Sequence, residues 1–494
     1  MKKRLLTIGA ALLMMTACTN NFEEINTNPN EPNVVPAEFL LTHAQESILD
    51  QIYGGFDNQR IGMTLAQYWS QNQYTEESRF QYRAGTNNTT WNTIYTGINN
   101  LQEIIRINEA RTAGRNENEI AVARIMKAWT YHFLTDVYGD IPYNEAINIA
   151  GGVVAPAYTP QPEIYQDLLK ELTEASAQIN PAEAGFGSGD LVYGGDLEKW
   201  RKFANSLKMR VAIRMYDQMP QQSLAAIEQA YTAGVFTSNA DNAAIRYSAS
   251  QPNTNPVYSD VIVANRIDYS ASDVLLDQLA SRNDPRLSAY FAPAVETGTF
   301  VGRPFGQNSA NANAISADDV SQLSQVVLSP DFPGMMLDFA EVNFILAEAK
   351  QRGANVPGTA AEYYNSGIRA SIEFWEAQKA RVALPATTRA TEAQIAAYIA
   401  TNPYDPDNFK QSIGLQKWIA LYTQGFQGWA EYRRLDFTGV LKMPVDGPLT
   451  SIDRIPLRRE YPGDEQTLNP VNRQAAVDRQ GPDALTTRLW WDVQ

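Results

Sequence analysis

Apolar side chains recur at helical spacing along most of the chain. Between Glu119 and Val137, the residues Val122, Met126, Trp129, Phe133 and Val137 fall on one stripe, with steps of three and four. Leu197, Trp200, Ala204, Leu207, Val211 and Met215 repeat the pattern. Steps of three and four place side chains on one face of an α-helix, where they can be buried together. The same reading predicts helices over 37–52, 89–108, 162–178, 221–233, 271–281, 336–351, 359–380, 391–399 and 408–422. Asp196 before LEKW, and Ser272 before DVLLDQL, are N-cap signals, since their side-chain oxygens can accept from unpaired N–H groups of the first turn. No run of alternating apolar and polar residues is long enough to build a sheet core. The expected fold class is therefore all-α dominated.

Long stretches without period separate these helices. Residues 139–162, 238–269 and 292–333 are rich in Gly, Asn, Ser and Pro, and 438–494 is rich in Pro and Arg. Loops of this length inside a compact body are functional or disordered. Helix pairs raise a helical repeat as an option, but no 34-residue self-similarity is visible.

The N-terminus changes the picture from globular to anchored. Lys2, Lys3 and Arg4 precede the apolar run LLTIGAALLMM, and Thr16-Ala17-Cys18 follows. The run is too short to span a bilayer and has the form of a signal peptide. Small residues before a cysteine suit a lipoprotein signal peptidase, with Met15 standing where Leu is usual. Residues 1–17 are read as a signal peptide and Cys18 as the lipidation site. Residues 18–36, polar and rich in Asn and Pro, form a tether, and 37–494 form a single helical domain with long loops. Several acyl chains on Cys18 make a stable anchor, at about 0.8 kcal/mol per buried CH₂. Cys18 is the only cysteine, so no internal disulfide is available.

Composition narrows the chemistry. The net charge is −15, and loss of Lys2, Lys3 and Arg4 with the leader makes it more negative. That argues against nucleic acid and anionic lipid surfaces as ligands. Only His43 and His132 are present, which removes most histidine-based catalysis and metal binding. His132, on a helix, is read as a packed residue. Tyr138, Asp140 and Tyr143 in the YGDIPY turn are read as structural, with Gly139 supplying the turn. Asp405 and Asp407 lack the spacing of a calcium loop. No cofactor and no metal is expected.

Several segments, in order, resemble one family. They are FEEINTNPNEP (22–32), WNTIYTGINNLQEII (91–105), ARIMKAWTYHFLTDVYGDIPYNEA (123–146), YQDLLKELTEA (165–175), WRKFANSLKMRVAIRM (200–215), NFILAEAKQRG (343–353), WIALYTQGFQGWAEYRRL (418–435) and YPGDEQTLNP (461–470). The chain resembles the SusD/RagB family of outer-membrane nutrient-binding lipoproteins, in its SusD-like second branch. The resemblance implies four tetratricopeptide-like helix pairs supporting irregular loops. It also implies a place on the outer-membrane surface and a partner, a SusC-like TonB-dependent β-barrel transporter. The implied task is capture of an oligosaccharide and its delivery to that barrel, without catalysis. RagB-type relatives imply a peptide ligand as the alternative. A surface glycoside hydrolase is the rival class, since a chain with 55 acidic residues will pair some carboxylates by chance.

Sugar rings present an apolar face and a hydroxyl edge, so they call for aromatic platforms beside amide, Arg or Asp groups. Tyr68 to Tyr74, followed by Arg79, Tyr82, Arg83, Asn87, Asn88 and Trp91, has that mixture in an expected interhelical loop. By position in the family, Arg79, Tyr82, Asn88 and Trp91 are the expected ligand-binding residues. Core packing of Tyr68, Trp69 and Trp91 stays open as the other reading. Tyr258, Asn265, Arg266, Tyr269, Phe300 and Arg303 form a second aromatic and polar set, read mostly as ordinary loop residues.

Overall fold

A computed structural model describes residues 35–148 and 151–493. The signal peptide, Cys18 and nearly all of the tether lie outside the described residues. The longer helices are α1 (Ala37–Tyr53), α2 (Ala84–Glu109), α3 (Glu117–Tyr138), α4 (Gln161–Gln178), α5 (Leu197–Arg214), α6 (Pro220–Ala233), α7 (Asp273–Ser281), α8 (Phe339–Gln351), α9 (Ala360–Arg381), α10 (Glu392–Thr401), α11 (Phe409–Ala420), α12 (Gly425–Leu435) and α13 (Pro470–Gln480). Helices adjacent in sequence pack against each other: α1 on α2, α2 on α3, α3 on α4, α4 on α5, α5 on α6, α8 on α9, and α11 on α12. This is the expected helix-rich fold of paired helices carrying irregular loops. Asp196 and Ser272 cap α5 and α7 through their side chains.

Among the described residues, the strands form three antiparallel pairs. These are β1 (Trp69–Gln71) with β5 (Tyr269–Ala271), β2 (Ile141–Pro142) with β3 (Tyr158–Thr159), and β4 (Ala243–Ile245) with β6 (Gly334–Leu337). Two predicted helix starts are corrected by them. Ala271 and Met336 are strand residues, because they pair with Trp69 and lie in β6, respectively, before helices α7 and α8 begin. Helix α2 starts at Ala84, ahead of the predicted 89, so Asn87 and Asn88 lie in its first turns.

The C-terminal stretch, predicted to have little period, contains α13 and is packed against the helices. Arg458, Arg459 and Trp491 are all buried. The Arg433 guanidinium is sandwiched 3.5 Å from the Trp429 ring and 4.8 Å from the Trp491 ring. One hydrophobic core runs through the described chain from Ala37 to Trp491.

Within that core the helices share a buried ionic network. Arg210 meets Glu341 at 2.9 Å, Arg214 and Lys417 meet Glu431 at 2.9 and 3.0 Å, and Arg434 bridges Glu348 and Glu431 at 2.6 and 2.7 Å. Burial alone would raise Glu431, but Arg434, Lys417 and Arg214 outweigh it and hold its carboxyl well below the usual range. Removing one member of such a set strands a buried charge, at a cost of about 3–5 kcal/mol. His132 is buried beside it, 3.5 Å from Asp136, as a packed residue.

Candidate carbohydrate-binding cleft

The β1–β5 pair brings together two loops that are far apart in sequence. Trp69 faces Ala271, Ser70 faces Ser270 and Gln71 faces Tyr269. The Trp69 and Tyr269 rings lie 5.5 Å apart, and the Trp69 indole donates to the Tyr422 hydroxyl at 2.9 Å. Beyond the strands the connection continues. The Asn72 backbone N–H donates to the Asp268 carbonyl at 2.7 Å, and its side chain donates to the Ile267 carbonyl at 2.9 Å. The Gln73 amide donates to Asp268. Tyr74 follows, half exposed, with φ 53°. A tyrosine in the left-handed region is uncommon and costs energy, so the surrounding loop must hold it there.

A third segment completes the cleft. Gly55–Gly62 and Ser259–Val263 both form π-helical turns, a wide geometry often found at functional sites. The Gln59 amide donates to Asp260 Oδ2 at 2.9 Å and ties the two turns together. A Cβ on Gly55 would sit 2.3 Å from the same carboxylate, so a larger residue there would displace the Asp260 side chain. Between the turns is a cavity of about 30 Å³, lined by Phe56, Arg60, Asp260, Arg266, Asp268 and Tyr269. Burial raises the Asp260 carboxyl pKa, opposed by Gln59 and Arg266.

The cleft combines exposed apolar faces with unspent donors. Phe56 is 57 % exposed, and Arg60 lies 4.9 Å over its ring. Arg60 is itself buried, and its Nε and Nη1 make no hydrogen bond among the described residues. Glu77 stands 3.7 Å from Arg60 as its ion-pair partner. Ile262, Val263 and Ile267 are also exposed, on the segment that carries Asp260. An exposed ring can stack on a sugar face, with polar groups at the rim to meet its hydroxyls.

The four residues expected from the sequence do not converge here. Arg79 donates to the carbonyls of Gly447 and Asp446 at 2.9 and 3.1 Å, fixing the C-terminal arm. Asn88 accepts from the Asp464 backbone N–H at 3.2 Å, also on that arm. Trp91 is buried, with Tyr95, Tyr138, Tyr158 and Tyr461 rings between 5.0 and 6.4 Å from its own. Its faces are spent on the core, as are Tyr68 and Trp69. Tyr82 is half-buried, and its hydroxyl has no hydrogen-bond partner among the described residues. Of the second set, Arg266 and Tyr269 line the cleft and Asn265 (φ 52°) shapes its loop. Arg303 is buried, donating to the Ala312 and Ile315 carbonyls. Phe56, Arg60 and Asp260, which line the cleft, are not among the residues expected from the sequence. The only local signal was an aromatic after Gly54-Gly55, immediately past a helix end.

Helix pairs carrying long irregular loops, with a loop-built cleft among them, define the class of fold. A family model described as SusD-like, starch-binding associating with outer membrane, matches residues 29–462, and the chain belongs to this SusD-like family. Among solved structures, a chitin-binding protein is 27% identical with a TM-score of 0.80, covering 93% of this chain and 100% of that one. A SusD homologue from Bacteroides uniformis is 26% identical with a TM-score of 0.80 and the same coverage. A chitin-binding SusD homologue from Flavobacterium johnsoniae is 23% identical with a TM-score of 0.79, covering 92% of this chain and 98% of that one. No curated protein sequence matches the chain. Among the described residues, no helix is long and apolar enough to cross a membrane.

Proposed function

We propose that this chain is a lipoprotein of the outer-membrane surface that captures an oligosaccharide and passes it to a TonB-dependent β-barrel transporter. Cys18 is its lipidation site, residues 1–17 its signal peptide, 18–36 its tether, and 37–494 its single helical domain. Binding, not catalysis, is its task. The observation that carries the glycan reading is Phe56, exposed over the buried and incompletely bonded Arg60. The chitin-binding neighbours support a glycan as ligand class. Phe56 and Tyr74 supply stacking surfaces, Arg60 and Arg266 supply donors, and Asp260 and Asp268 supply acceptors.

The test is calorimetric titration of wild type and Phe56→Ala with a glycan panel that includes chitin and starch oligosaccharides, while following the release of reducing ends. Binding without hydrolysis, weakened about tenfold to a hundredfold in the variant, is expected for loss of a good contact of about 1–3 kcal/mol. Release of reducing ends establishes a hydrolase instead. The exposed Ile262, Val263 and Ile267 favour a second reading, peptide capture, which the same titration with unstructured peptides decides.

A further inference from the structure

A second and larger cavity, of about 500 Å³, lies between the segment 282–288, Phe300, and α10 with the loop before it. It shares no lining residue with the cleft around Phe56. Its volume is within the roughly 300–1,000 Å³ of small-ligand sites. Its walls are hydroxylic and amidic, with Asn283, Thr388, Gln394 and Thr401 among them, and Phe300 supplies an apolar surface.

The charge of this cavity runs against that of the chain. Arg282 and Arg389 both line it. Arg282 bonds only neutral groups, donating to the Gln278 carbonyl and side chain and to Ser281. The Arg389 side chain has neither an ion pair nor a hydrogen bond among the described residues, and is exposed. The one carboxylate in the lining is Asp284, already held by the buried Arg286 at 2.6 Å. Beneath the wall, Lys379 donates to the Pro285 and Thr388 carbonyls and pairs with Glu376. Two guanidiniums thus face the cavity uncompensated, in a protein of net charge −15. Guanidinium groups in that position select a carboxylate or an equivalent oxyanion.

We propose that this cavity is a second ligand site, which takes an acidic sugar unit: a uronate whose carboxylate meets Arg282 and Arg389 and whose hydroxyls meet the amide and threonine groups. The choice of a sugar rather than another organic anion rests on the glycan reading above; the anion preference does not.

The experiment titrates the mature protein with digalacturonate, uncharged digalactose and inorganic sulfate, in wild type, Arg389→Gln, Arg282→Gln/Arg389→Gln and Phe56→Ala/Tyr74→Ala. Wild type is expected to prefer digalacturonate over digalactose by about tenfold, the scale of a charge-assisted hydrogen bond. The double arginine variant loses that preference, and Arg389→Gln, an exposed change that leaves the core untouched, loses part of it. The preference survives in Phe56→Ala/Tyr74→Ala, even if that variant abolishes binding of neutral glycans. Equal binding of the two disaccharides overturns the proposal, as does a preference that persists without both arginines or vanishes with Phe56 and Tyr74. Sulfate that binds as tightly as digalacturonate overturns the assignment to a sugar.

Discussion

Arg459 Nη1 lies 2.7 Å from Asp57 Oδ1, joining positions 402 residues apart through two buried side chains. Asp57 stands in the π-helical turn that carries Phe56, and also accepts from the Thr90 hydroxyl. The C-terminal arm therefore clamps the turn that builds one wall of the cleft. Leaving a buried charge without its partner costs about 3–5 kcal/mol. Asp57→Asn and Arg459→Met should each lower stability by that order in chemical denaturation. The double variant should lose clearly less than the two losses combined. Additive losses would separate the arm from the turn.

Trp91→Ala should act on the fold. Truncating a buried aromatic costs about 3–5 kcal/mol, and four tyrosine rings around Trp91 lose their neighbour. Thermal melting should show a large drop, whereas Phe56→Ala, at an exposed position, should melt close to wild type. A Trp91→Ala protein of wild-type stability would contradict the packing described here.

His132 gives stability a pH dependence of known sign. Burial, assisted by Arg214 and Arg210 and opposed by Asp136, pushes its pKa down to about 4. A histidine kept neutral in the fold but free to charge when unfolded contributes fully above about pH 6.5. That contribution falls as pH drops from about 6.5 to about 4. The stability of wild type relative to His132→Leu should therefore shrink over this window, by about 3 kcal/mol at about 1.4 kcal/mol per pKa unit. Denaturant midpoints at a series of pH values measure it, and a gap independent of pH would refute it.

Cys18→Ala should release the protein from the membrane. Fractionation of cells expressing the variant is expected to find it soluble or unprocessed. Mature Cys18→Ala protein retained in the membrane like wild type would remove the lipid anchor from the proposal.

The helices were legible in the sequence because burial of one face imposes a period on the residues themselves. Val122, Met126, Trp129 and Phe133 announce α3 without reference to anything distant, and Asp196 announces where α5 begins. Ala271 and Met336 were misassigned because a strand of three or four residues is too short to impose its own period; it forms only when its partner, β1 or β4, arrives. The cleft was hidden for the same reason. Its walls come from positions near 56, 73 and 260–268, and hydrogen bonds such as Gln59–Asp260 and Asn72–Asp268 exist only in the folded chain. An aromatic residue carries no local mark of which way it faces. Trp91 and Phe56 both sit near polar neighbours in sequence, yet Trp91 is enclosed by Tyr95, Tyr138, Tyr158 and Tyr461 while Phe56 meets solvent. The sequence alone determined the helical class, the family likeness and the acidic balance, since each is written in residues close to one another or in their order. Tertiary structure decided which aromatics and arginines remain unspent, because that depends on whether distant segments supply them with partners.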